Sequence, residues 1–136
     1  MKVVFLDTNA YTAFKLGDKN IVEIVQQAHT LGISPIVLGE LLSGFEMGRK
    51  TDNNRHELKQ FLSSPRVKIY PMSAQTAQFY CEIFSCLKRK GKPIPTNDLW
   101  ISAQVMEQGA SLCTYDKHFD HIDGLLTGKT SAELIF

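Results

Sequence analysis

The sequence predicts an α/β fold, a three-layer α/β/α sandwich around a central, mostly parallel sheet. Three observations predict it. Apolar runs of strand length alternate along the chain with amphipathic runs of helix length, the pattern of βα units. The first run, Val3 to Leu6, is apolar at every position, as a strand covered on both faces must be. The chain has 136 residues and neither a repeat nor a Pro-, Gly- or Ser-rich linker, so a single domain over 1–136 is expected.

The elements follow in order. Residues 19–31 place Ile21, Ile24, Val25 and Ala28 on one helical face. A short strand is expected around Ile33–Ile36, followed by a helix from near Leu38 to near Gly48. "DNNRHELKQFLSS" is a polar helix whose apolar stripe is Leu58, Phe61 and Leu62. "VKIYPM" alternates like a strand and stops at Pro71. Ser73 to about Lys90 is a long helix with a hydroxyl start and a basic end, which suits the helix dipole. "GKPIP" is a loop. Asn97 to Gln108 is a helix capped by Thr96 or Asn97 and stopped by Gly109. "SLCTYD" supplies the next strand, and a last one is expected over Glu133–Phe136.

Composition narrows the function. Hydrophobic residues at 43% and charged residues at 21% are ordinary for a globular chain and exclude disorder. No apolar run approaches bilayer length and no signal peptide is visible, so a cytoplasmic protein is expected. The net charge of +1 creates no whole-protein field, although a local basic patch is compatible with it. Cys81, Cys86 and Cys113 have no metal-type spacing and read as reduced, mostly buried thiols.

Ligands of an open parallel sheet gather beyond the carboxyl ends of its strands. Asp7 follows "VVFL" and Asp116 follows "SLCTY", each at such an end. Asp98 falls in the first turn of its helix, sharing a face with Ile101, Ser102 and Val105. Glu40 lies among Leu41 and Leu42 in the helix after "SPIV", with Gly44 one turn on to admit a neighbouring element. A carboxylate in apolar surroundings is costly unless it is paired or binds a cation. Each acid also has an ordinary use as a cap, a first-turn residue, a turn former or a surface group. All four uses would have to coincide at these element ends.

An oxygen-only set without clustered His or Cys suits Mg²⁺ or Mn²⁺ rather than zinc. One or two such ions would activate water against a phosphodiester. Without an ion the acids repel one another, and at least one should hold its proton more tightly than a free carboxylate.

"FLDTN", "GELLSG", "NDLWISAQVMEQG" and "LCTYDKHF", in this order and over nearly the whole chain, resemble a PIN-domain ribonuclease. Length and element order are most similar to the toxin subunit of VapBC-type toxin–antitoxin pairs. The resemblance implies a catalytic, metal-binding site at Asp7, Glu40, Asp98 and Asp116, holding Mg²⁺ or Mn²⁺ and cutting RNA. It gives Thr8, Asn9 and Thr114 the role of orienting those acids. It also implies a homodimer and a cognate antitoxin whose tail crosses the groove. One departure is His118, where many relatives carry a further acid; taken alone, a lone exposed histidine reads as surface.

Lys88 to Lys92, Arg49, Lys50 and Lys117 are candidates for holding an RNA backbone. For Lys88–Lys92, a solvated helix end satisfying the dipole is the plainer use. Trp100 is expected to pack partly against a neighbouring helix, on a polar side shared with Gln104 and Glu107. Phe79, Tyr80, Ile83, Phe84 and Leu87 make the long helix apolar over a wide face that could serve a dimer. Two alternatives stay open. One is a PIN-like RNA- or protein-binding module without activity. The other is a HAD-like phosphatase with Asp7 as nucleophile, which wants an acid where Asn9 stands.

Overall fold

The structure is a computed structural model that describes residues 3–134. Five parallel strands form one sheet in the order β3-β2-β1-β4-β5. They are β1 (Val3–Leu6), β2 (Thr30–Ile33), β3 (Val67–Ile69), β4 (Ser111–Cys113) and β5 (Thr127–Gly128). The helices are α1 (Thr8–Lys15), α2 (Lys19–Gln27), α3 (Pro35–Met47), α4 (Thr51–Leu62), α5 (Ala74–Lys90), α6 (Thr96–Glu107) and α7 (Ser131–Leu134). A 3₁₀ helix covers Lys117–His121. This is the expected three-layer, parallel architecture.

Side-chain alternation in β1 divides the core in two. Phe5 joins Leu112, Val37, Leu41, Ile83, Leu87, Ile101 and Val105 on the face covered by α3, α5 and α6. Val4 and Leu6 join Leu31, Ile33, Ile21, Ile24 and Leu134 on the face covered by α2 and α7. Phe5 pairs in register with Gly32 of β2. A Cβ at position 32 would come within 2.8 Å of the Phe5 ring, so the glycine makes room for that ring beside the central strand. The β1 strand is thereby locked from both faces, and its carboxyl end is a rigid mount.

Several boundaries differ from the sequence reading. The second strand ends at Ile33, and α3 begins at Pro35 rather than Leu38. Ser34 accepts the Ile36 amide on its hydroxyl (3.1 Å), and proline occupies the first helical position, a strong start signal. The helix placed at 19–31 stops at Gln27 because Ala28 turns extended to feed β2. The Arg66 guanidinium caps that end, reaching the carbonyls of Val25, Gln26 and Ala28. Helix α1 is an addition, nucleated by Asp7 as its N-cap. Neither Thr96 nor Asn97 caps α6; Pro95 holds the cap position without a side-chain bond. The long helix starts as read, with a Ser73–Thr76 capping box, and closes on Gly91 at a φ of 68°.

The expected last strand is the largest change. Glu133 and Leu134 belong to α7, while Ile135 and Phe136 lie outside the described residues. The edge strand comes earlier, at Thr127–Gly128. The Glu133 carboxylate accepts from the Lys129 amide and the Thr130 hydroxyl (both 3.1 Å) and folds the segment back. A Cβ on Gly128 would sit 2.6 Å from that of Glu133, so only glycine lets α7 close on β5 and bury Leu134.

Candidate active site

Strand β1 lies between β2 and β4. The chain moves outward from β1 to β2 and β3, then returns to the other side of β1 as β4. The carboxyl ends of β1 and β4 therefore flank the point where strand order reverses, where open α/β sheets form their ligand crevice. Asp7 and Thr114 are the residues that follow those two strands.

Asp7 is buried, and both of its oxygens are engaged. Oδ1 accepts the Thr8 amide at 2.8 Å, and Oδ2 accepts the Thr114 hydroxyl at 2.7 Å. The Asp7 amide itself donates to the Cys113 carbonyl at 3.0 Å, joining the β1 tip to β4. Asn9 strengthens this join. Its Oδ1 accepts the Tyr115 amide (3.1 Å), and its Nδ2 reaches Asp7 and Thr114 (both 3.4 Å). The Asp7 carboxyl is pushed up to about 6, chiefly by burial. The Thr114 and Thr8 hydrogen bonds oppose that rise, and the charges of Asp98 and Glu40 add to it.

Glu40 enters from α3. One oxygen accepts the Thr8 hydroxyl at 2.6 Å and the other accepts Asn97 Nδ2 at 3.3 Å. Thr8 thus presents its amide to Asp7 and its hydroxyl to Glu40. Gly44 has no part in this approach, since a Cβ there would meet nothing within 4 Å.

Asp98 projects from the first turn of α6, whose Ile101, Ser102 and Val105 are buried as expected. Burial pushes its carboxyl above the usual range; Asp116 and Glu40 push the same way, while His118 opposes. Asp116 caps the 3₁₀ helix by accepting the His118 amide at 2.9 Å, and its own amide donates to the Thr114 hydroxyl at 3.0 Å. Asp7 and Asp116 therefore do cap the elements that follow them, and both are also tied to the Thr114 hydroxyl.

Two contacts were not anticipated from the sequence. His118 Nδ1 lies 3.1 Å from Asp116 and 3.3 Å from Asp98, so it faces the acids rather than only solvent. Asn97 turns from capping to Glu40. The signal available for His118 was its place two residues after Asp116 in "DKHF". Ligand atoms of Asp98, Asp116 and His118 all lie within 4.8 Å of one another, a spacing that one cation could bridge. No Lys or Arg forms an ion pair with any of the four acids among the described residues.

The flanking residues sort more plainly. Lys90 pairs with Asp123 at 2.5 Å and reaches the His121 carbonyl, away from the acids. Lys117 is exposed beside Asp116. Trp100 packs on Tyr80 of α5 with ring centroids 4.3 Å apart, as expected. Gln104 is not on a polar surface: it is buried and donates to the Tyr70 carbonyl at 2.7 Å. Of the cysteines only Cys113 is buried, and its thiol is pushed up to about 12, chiefly by burial. Among the described residues, no helix is long and apolar enough to cross a membrane.

Fold and site together define a class: a parallel α/β domain with a carboxylate crevice at the reversal of its strand order. The chain belongs to the PIN domain family, whose profile matches residues 4–125. It is 35% identical over 129 residues to Ribonuclease VapC2 of Rickettsia felis, covering 91% of this chain and 95% of that protein. Among solved structures it is similar to VapBC2 of Rickettsia felis bound to a promoter DNA fragment. There the TM-score is 0.81 at 30% identity, covering 93% of this chain and 97% of that one. DNA-bound VapBC of Salmonella typhimurium gives a TM-score of 0.81 at 27% identity, covering 94% and 98%.

Proposed function

We propose that the protein is a metal-dependent endoribonuclease and the toxin of a toxin–antitoxin pair, with Asp7, Glu40, Asp98 and Asp116 holding Mg²⁺ or Mn²⁺. The observation that carries this reading is that Asp98 and Asp116 share one close donor set while Asp7 and Glu40 each act on Asp98 by charge, with no Lys or Arg counter-ion to any of the four among the described residues. The donor set fits a hard divalent cation, being built on carboxylate oxygens. The raised carboxyl of Asp7 fits too, because a bound cation relieves the repulsion and desolvation that raise it. When bound, such an ion supplies charge stabilisation to a phosphodiester under attack and promotes ionisation of a water.

The protein's own groups have separate tasks. Thr114 and the Thr8 amide fix the direction of the Asp7 carboxylate. The Thr8 hydroxyl and Asn97 orient Glu40. Asn9 holds the β1 tip against the loop that carries Asp116. Lys117 and Lys129 flank a small cavity of about 140 Å³ beside Asp116, where they would meet an RNA backbone without reading its sequence. The phosphatase alternative gains nothing here, since Asn9 is engaged in that tie and cannot act as a second acid.

The nuclease names and VapBC assemblies of the relatives support an RNA substrate and a cognate antitoxin partner. Phe84, exposed on the apolar face of α5, supports the homodimer reading. The test is RNA cleavage by the purified chain. Asp7→Asn and Asp98→Asn should remove Mg²⁺-dependent cleavage and relieve growth arrest on expression. Wild-type cleavage by either variant would overturn the site.

A further inference from the structure

We infer that His118 is a nitrogen donor to the cation held by Asp98 and Asp116, and that it biases the site toward Mn²⁺ over Mg²⁺. The inference rests on the metal-site reading above. His118 Nδ1 faces two carboxylates from different elements, 3.1 Å from Asp116 Oδ1 and 3.3 Å from Asp98 Oδ2. The three donor atoms fall within one 4.8 Å cluster. The ring is placed by its surroundings. Its backbone amide is held by Asp116, and the next residue, Phe119, is fully buried. Nδ1 is the ring nitrogen that meets both carboxylates.

An imidazole in this place changes the chemistry of the donor set. It brings a neutral nitrogen in a ring of hard anionic oxygens. Mg²⁺ strongly prefers oxygen and its own water, whereas nitrogen donors favour transition ions, of which Mn²⁺ is the one most at home with carboxylates. His118→Asp restores a further oxygen donor, so it should shift the ratio of Mn²⁺ to Mg²⁺ affinity toward Mg²⁺, by roughly tenfold. A histidine serving only as counter-ion to the two acids would be displaced by the metal and would leave no mark on it.

The test is pulsed EPR on the full chain loaded with Mn²⁺, read for ¹⁴N modulation, together with calorimetric titration of Mn²⁺ and Mg²⁺. Wild type should show imidazole ¹⁴N coupling. His118→Gln should lose it, and His121→Gln, altering the histidine three residues along, should keep it. His118 is half exposed, so these variants are expected to fold, which circular dichroism would verify. Mn²⁺ binding that depends on Asp98 but carries no ¹⁴N coupling would overturn the inference and leave the metal site standing. Failure of the wild type to bind Mn²⁺, or equal binding by Asp98→Asn, would overturn both.

Discussion

Asp123 and Asp7 are the same residue type in opposite circumstances. Asp123 lies on the surface with Lys90 at 2.5 Å, and that contact holds its carboxyl below the usual range. Asp7 lies at the buried tip of the central strand with other acids as its charged neighbours, and its carboxyl is pushed up to about 6. Asp98 is pushed in the same direction, also chiefly by burial. The first arrangement satisfies a charge. The second gathers acids around a rigid mount without a Lys or Arg partner, a state that a bound cation would relieve. Folding stability alone would not select it, because desolvating an unpaired carboxylate is costly.

Asp98 and Asp123 should differ most in catalysis. Asp98→Asn should reduce Mg²⁺-dependent RNA cleavage by on the order of a hundredfold or more, as removal of one charge-stabilising group typically does. Asp123→Asn should leave the cleavage rate unchanged. Equal losses in the two variants, measured as initial rates on one RNA, would erase the distinction.

The folded pKa of Asp7 is above its ordinary 3.8, so its ionisation opposes folding. The stability present below pH 3.8 is lost as pH rises through about 6. A rise from 3.8 to about 6 corresponds to about 3 kcal/mol, reduced by the Thr114 hydrogen bond that asparagine keeps less well. Metal-free Asp7→Asn should therefore be more stable than wild type in urea at pH 8, by about 1–3 kcal/mol, and the gain should shrink toward pH 4.5. A variant less stable than wild type at pH 8 would show that Asp7 is structural.

Thr114→Val and Thr8→Val remove the groups that aim Asp7 and Glu40, and each should weaken Mg²⁺ binding by roughly 10–100-fold in calorimetry. At the surface, Lys90→Ala should barely move the melting temperature, because an exposed ion pair contributes little.

The place of Asp7 was legible because it follows directly from an element end; Asp116 lies three residues beyond β4, and Glu40 sits in the second turn of α3. A residue just past a central parallel strand must open onto the sheet's carboxyl edge, whatever the rotamer. The position of His118 was flagged, but its turn toward the acids and that of Asn97 toward Glu40 were not legible, because they depend on which way a side chain points after a turn or helix start. Helix α1 was missed for another reason: it is eight residues long and buries only Ala10 and Tyr11, too little for a periodic signal. The shift of β2 came from Ser34-Pro35, where start chemistry outweighed the apolar run through Ile36 and Val37. At the carboxyl end, "ELIF" reads as a strand by composition. Glu133 and Leu134 instead join α7, which packs against Gly128 at a distance that only a missing side chain allows, a feature invisible to local pattern.

In the proposed function the four acids form one cation site. Calorimetric titration of Mg²⁺ into the metal-free chain, beside Asp98→Asn and Asp123→Asn, tests it most directly. Saturable binding by wild type and Asp123→Asn, with none by Asp98→Asn, is the predicted result. Indistinguishable heats from all three proteins would contradict it.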